Sequence, residues 1–86
     1  MKNLENAVSV YKNMEKKTQE RDILGHLITC GPITPLTALT EYGCMRLGAR
    51  IYDLEHKYPI RIKHEMIGNG QKAYMKYSLE EDEENA

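Results

Sequence analysis

The sequence predicts an α+β domain in which helices come first and one two-stranded antiparallel ribbon closes the chain. Three observations predict it. Apolar residues recur at spacings of three and four from Leu4 to Leu54. Capping residues and glycine or proline stops divide that stretch into four pieces. Beyond Pro59 the period changes to two and runs through an Asn-Gly pair.

Each element has its own justification. Leu4, Ala7, Val8 and Tyr11 define one face of a first helix, which ends among lysines. Thr18 offers a capping hydroxyl to a second helix, carried by Ile23, Leu24, Leu27 and Ile28 and stopped at Gly31-Pro32. Thr34 then Pro35 pairs a cap with proline at the first helical position. The short helix that follows is expected to turn Leu36, Leu39 and Tyr42 inward and to end at Gly43. Leu47, Ile51 and Leu54 give a narrow apolar stripe to a fourth helix, expected from Met45 to Lys57.

From Ile60 the residues Ile60, Ile62, His64 and Met66 alternate with Arg61, Lys63 and Glu65. Gly68-Asn69-Gly70-Gln71 follows, and Asn-Gly is a strong two-residue hairpin signal. With Asn69 and Gly70 as the turn, Ile60 would oppose Leu79, Ile62 Tyr77, His64 Met75 and Met66 Ala73. The apolar faces then coincide, as a half-buried ribbon requires. The same register sets Lys63 opposite Lys76, a like-charge pair that Glu65 or a bound phosphate would relieve.

With 86 residues the chain supports one modest core. No apolar run reaches the roughly 18 residues of a membrane span, and the first residues lack a signal-peptide core, so the expected location is the cytoplasm. Cys30 and Cys44 form no disulfide framework and no C-x-x-C pair, and both are expected to be small buried fillers. The net charge of −1 conceals an asymmetry. Glu80, Glu81, Asp82, Glu83 and Glu84 crowd the end of the chain, and the rest carries 12 basic and 8 acidic side chains. The excess lies between Arg46 and Lys76, where seven bases face Asp53, Glu55 and Glu65. A basic half of this kind points towards nucleic acid.

Helix, short helix, glycine turn, helix, then a glycine-tipped ribbon is the order of a winged helix-turn-helix, here with an extra N-terminal helix added to three core helices. The run Ile33-Thr34-Pro35-Leu36-Thr37-Ala38-Leu39, Tyr42-Gly43, Arg46-Leu47-Gly48-Ala49-Arg50-Ile51 and Asp53-Leu54 sharpens this. It resembles the core of the small winged helix-turn-helix proteins of bacteriophages, prophages and other mobile elements. Gly48 stands where that pattern has alanine, and the first sixteen residues and the acidic tail lie outside it. The expected organisation is an amphipathic helix at 1–16, a winged helix-turn-helix domain at 17–79 and a disordered acidic tail at 80–86.

The resemblance implies a DNA-binding fold whose helix 45–57 enters the major groove. The expected role is a transcriptional regulator or architectural accessory factor of a phage or mobile element. Arg46 and Arg50, one turn apart, suit guanine edges or phosphates, although Arg50 could equally pair with Asp53. Ala49 and Gly48 are small enough to let the helix approach the groove floor, and Lys57 lies on the same outward side. Thr34 is a cap that can also meet a phosphate. The wing would bring Lys63, Asn69, Gln71, Lys72 and Lys76 to the backbone or minor groove. The rival expectation is a protein-binding inhibitor of a host enzyme or defence system on the same scaffold, with a host protein as partner. Leu4, Val8 and Tyr11 would carry a homodimer contact.

Other chemistry finds no support in the residues. His26, His56 and His64 are scattered over three elements, so no metal site is expected. His64, on the apolar ribbon face, is expected to be a hydrogen-bonded core histidine. Neither cysteine has a base at hand for nucleophilic catalysis, and the glycine-rich turn lacks the helix and lysine of a phosphate loop. No cofactor and no enzymatic activity are expected.

Overall fold

The structure is a computed structural model that describes residues 3–81; the acidic residues at 82–86 of the expected tail lie outside the described residues. Four helices and a hairpin follow in order: α1 (Asn3–Asn13), α2 (Gln19–Thr29), α3 (Pro35–Tyr42), α4 (Leu47–Lys57), β1 (Ile62–Ile67) and β2 (Tyr74–Leu79). β1 and β2 pair antiparallel. Ile33 adds one rung on the far edge of β2, exchanging backbone hydrogen bonds of 2.8 and 2.9 Å with Tyr77.

The helix boundaries follow from local chemistry. Thr18 Oγ1 accepts the Arg21 amide at 3.2 Å, and Thr34 Oγ1 accepts the Thr37 amide at 3.3 Å, so each cap satisfies an amide the helix leaves unpaired. Gly43 ends α3 in the left-handed region at φ 64°, where a side chain would be strained. Its amide and that of Cys44 return to Leu39 and Ala38 carbonyls, which closes the last turn. α4 begins at Leu47, two residues later than the spacing predicts, and Arg46 is its N-cap at φ −130°. With neither a hydroxyl nor a carboxylate at that place, the helix starts without a side-chain cap.

The core lies where α2 and α4 cross beneath the ribbon. Ile23, Leu24 and Leu27 of α2 meet Leu47, Ile51 and Leu54 of α4, with Ile33, Ile60, Ile62 and Tyr77 closing the ribbon side. Ala7 of α1 joins this cluster, and Val10, Tyr11 and Met14 pack against it. Buried Asn3 fastens α1 to the open end of the ribbon. Its Nδ2 donates to the Arg61 and Glu80 carbonyls and its Oδ1 accepts the Arg61 amide, all at 2.8 Å.

Several expectations are corrected. The hairpin register is shifted by two: Ile62 opposes Leu79, His64 Tyr77 and Met66 Met75. A shift of two keeps every side chain on its face, so alternation alone cannot distinguish the two pairings. The loop decides. Asn69 lies at φ −150°, which a two-residue type I′ turn forbids, and a short 3₁₀ turn over Gly70–Lys72 lengthens the connection. The gain is electrostatic: Lys76 now opposes Glu65 at 3.6 Å, and Lys63 opposes Ser78 instead of another lysine.

The short helix α3 buries Ala38 and not its leucines; Leu36 is 70% exposed and Leu39 is exposed too, while Tyr42 is half-buried. An eight-residue helix approaching α2 closely needs a small residue at the contact, and Ala38 supplies it. His64 is exposed, pairing with Glu55 of α4 and resting edge-on against Tyr77 at 5.1 Å. Of the cysteines only Cys44 is buried; Cys30 sits exposed at the end of α2. Tyr11 packs against its own domain, its ring under the Arg21 guanidinium at 4.0 Å.

Candidate nucleic-acid interface

Polar contacts tie α3 and the turn at 43–46 to α2, against which α4 also packs in the core. His26 Nε2 lies 3.2 Å from the Pro32 carbonyl, which can only accept, so that nitrogen carries the proton in the neutral ring. Nδ1 then accepts the Tyr42 hydroxyl at 2.8 Å. This chain joins the end of α2, the loop before α3 and the end of α3. Burial pushes the Tyr42 hydroxyl above its ordinary pKa, with smaller contributions from Cys30 and nearby carboxylates. At the other side of the turn the Gln19 amide donates to the Gly43 carbonyl at 3.3 Å.

With Leu47, Ile51 and Leu54 turned inward, a period of 3.6 places Ala49, Tyr52, Asp53 and His56 on the outward face of α4. The predicted site residues take different positions around it. Arg46 is exposed at the N-terminus and has no ion pair among the described residues. With Gln19, Gly43, Met45 and Arg50 it lines a shallow concavity of about 300 Å³. Ala49 and Arg50 are half-buried. Arg50 Nη2 lies 3.5 Å from Asp53, while its Nε is buried with no hydrogen-bond partner. Lys57 is turned to α2, its Nζ donating to Glu20 at 3.0 Å, and that hydrogen bond and charge raise its pKa.

The remaining predicted residues divide between ribbon and cap. Asn69, Gln71 and Lys72 are exposed at the ribbon tip. Gly68 there has φ 81°, and a Cβ would stand 3.3 Å from the Lys72 carbonyl, so the tip geometry requires glycine. Lys76 is held by Glu65. Lys63 borders a hollow of about 760 Å³ with Leu27, Gly31, Pro32, Leu79 and Glu80, away from α4. The Thr34 hydroxyl is used on both sides, accepting the Thr37 amide and donating to Thr37 Oγ1 at 3.2 Å.

The charge-based reading of the sequence passed over Tyr52 and His56. Tyr52 is 61% exposed on α4, and the His56 ring stacks on it at 3.8 Å and 19°. His56 Nδ1 donates to the Tyr52 carbonyl at 2.8 Å. The signal was in the spacing: once Leu47, Ile51 and Leu54 are taken as core, 52 and 56 fall opposite them. Gly48, also exposed, has room for a methyl, since a Cβ would meet only the Tyr77 hydroxyl at 3.7 Å. Among the described residues no group of three or more histidine, cysteine, aspartate or glutamate side chains is placed to hold a metal ion. No helix among the described residues is long and apolar enough to cross a membrane.

Comparison with known proteins agrees with this architecture. The sequence profile of the family described as winged helix-turn-helix domain matches residues 18–82, that is, α2 through the end of the ribbon. No curated protein and no solved structure matches the chain.

Proposed function

Given that the chain belongs to the winged helix-turn-helix domain family, a DNA-binding fold, we propose that it binds duplex DNA with α4 in the major groove and the ribbon tip on the adjoining backbone. The observation that carries the reading is the outward face of α4. It is free of the core, headed by Arg46, which has no ion pair among the described residues, and follows a turn held by Gln19. Arg46, Ala49 and Arg50 are the groove-side residues and Asn69, Gln71 and Lys72 the wing contacts. Thr34 marks the α3 N-terminus, the positive end of that helix, which suits a phosphate. Lys57, Lys63 and Lys76 add positive potential without a fixed contact.

The likeness of residues 33–54 to phage and mobile-element proteins supports a role as transcriptional regulator or architectural accessory factor. A homodimer through the outer side of α1, where Leu4 is 54% exposed beside Val8, suits a palindromic site. Titration of the full chain with a random-sequence duplex tests the central reading. Three cationic contacts, Arg46, Arg50 and Lys72, imply roughly a 40-fold loss of affinity between 50 and 200 mM salt if each meets a phosphate. Absence of binding at 50 mM salt would overturn it.

A further inference from the structure

The outward face of α4 carries one acid, Asp53, which Arg50 Nη2 approaches at 3.5 Å. Ala49 offers a methyl, and Tyr52 and His56 offer two stacked rings at 3.8 Å. The cations sit elsewhere: Arg46 caps the N-terminus, Arg50 lies beside Asp53, and Lys57 is held by Glu20. Guanine in the major groove is read by arginine or lysine, and adenine by asparagine or glutamine. Ala49, Tyr52 and His56 are none of these, and the arginines Arg46 and Arg50 stand at the margin of the three. Beside Asp53 the face presents a methyl and the carbon surface of two stacked rings, and the apolar feature of a major groove is the C5 methyl of thymine.

The Tyr52 ring is also fixed before any ligand arrives. His56 covers one face of it, and the Nδ1–H bond to the Tyr52 carbonyl locks the imidazole in that stacked position. A side chain 61% exposed yet already stacked on a neighbour has less rotamer freedom to lose on contact than an unsupported one. Its free face and edge are turned outward beside the Ala49 methyl, three residues earlier on the same side of the helix.

We infer that Tyr52 is a specificity-determining residue that reads thymine methyl groups in the major groove, with His56 positioning its ring. The inference rests on the DNA-binding reading of α4 and names the base feature that surface takes. Burial of one methyl contributes about a fourfold change in affinity.

The test begins with the duplex most enriched by the full chain from a random-sequence pool, remade with deoxyuridine in place of thymidine. That exchange removes the methyl and leaves the pairing edges intact. The parent protein should bind the uracil duplex at least about fourfold more weakly. Tyr52→Ala, or Tyr52→Gln should the alanine variant fail to fold, should bind both duplexes equally and keep the parent's salt dependence. Tyr52→Phe should retain the discrimination, and His56→Ala should reduce it. Equal binding of both duplexes by the parent overturns the inference, as does discrimination that survives in both Tyr52→Ala and Tyr52→Gln, while DNA binding itself stands in either case. A parent that binds no duplex overturns the DNA-binding reading and this inference with it.

Discussion

Among the basic residues of the second half, what separates them is the company each keeps. Among the described residues Arg46 has no ion pair, while Arg50 has Asp53, Lys57 has Glu20 and Lys76 has Glu65. A cation already paired must break a contact before it neutralises a phosphate, so Arg46 should contribute most per charge. Arg46→Ala should therefore weaken binding across sequences and lower the salt slope by about one, and adding Arg50→Ala should lower it further by less. Lys57→Ala should change the slope little. Affinities over a salt series, with melting curves to verify folding, check both statements.

Tyr42 illustrates a residue whose value is set by its protonation. Its hydroxyl donates to His26 Nδ1 at 2.8 Å, and burial holds its pKa above the ordinary 10.0. The folded state thus favours the neutral phenol. Its contribution is complete below the unfolded value near 10 and is lost as pH rises through the folded value. Lys57 has the same sign, since Glu20 raises its pKa above 10.5 and its contribution also disappears as the ammonium loses its proton. Stability should fall from about pH 10 upward. Tyr42→Phe should be less stable than the parent at pH 8, and the gap should narrow as pH passes 10. Urea unfolding at pH 8 and pH 10.5 measures it.

At the scale of elements, α4 carries both the core and the interface, and the two roles are set by one rotation about its axis. Ile51 is 1% exposed, and shortening it leaves a void that a core of this size cannot close. Ile51→Ala should cost about 2–5 kcal/mol, measured by chemical denaturation. A variant as stable as the parent would mean that α4 is rotated and that its outward face is another one.

This phase was legible in the sequence, because three apolar residues at spacings of four and three fix a helix face without help from the rest of the fold. So were the caps at Thr18, Thr34 and Gly43, whose chemistry is local. The inward face of α3 was not legible, because eight residues give too few turns for a pattern and the choice of Ala38 depends on how closely α2 approaches. The ribbon register was half legible: alternation fixed the faces, while the loop at 68–73 fixed the pairing. Tyr52 and His56 were passed over because charge, not position on the helix, guided the choice of contact residues.

For the whole molecule, α1 matters in two ways. Through Asn3 it clamps both strands at the open end of the ribbon, so the wing is braced at the side away from its tip. Its outer side leaves Leu4, Glu5, Val8, Ser9 and Lys12 around an open hollow. If that side carries a self-contact, Leu4→Lys should shift sedimentation towards the monomer without lowering the melting temperature, because Leu4 lies outside the core cluster. Unchanged mass would reject the dimer. The point substitution is preferable to removal of α1, which would strip Asn3 from the backbone groups of Arg61 and Glu80.

The central claim is that this chain meets duplex DNA with the outward face of α4 and the ribbon tip. The most direct measurement is an amide chemical-shift titration of the full chain with a short random-sequence duplex at low salt. The account predicts the largest shifts at 46–56 and 69–72, with weaker ones near Thr34 and none along the outer side of α1. Shifts confined to α1, or no shifts with DNA in excess, would contradict it.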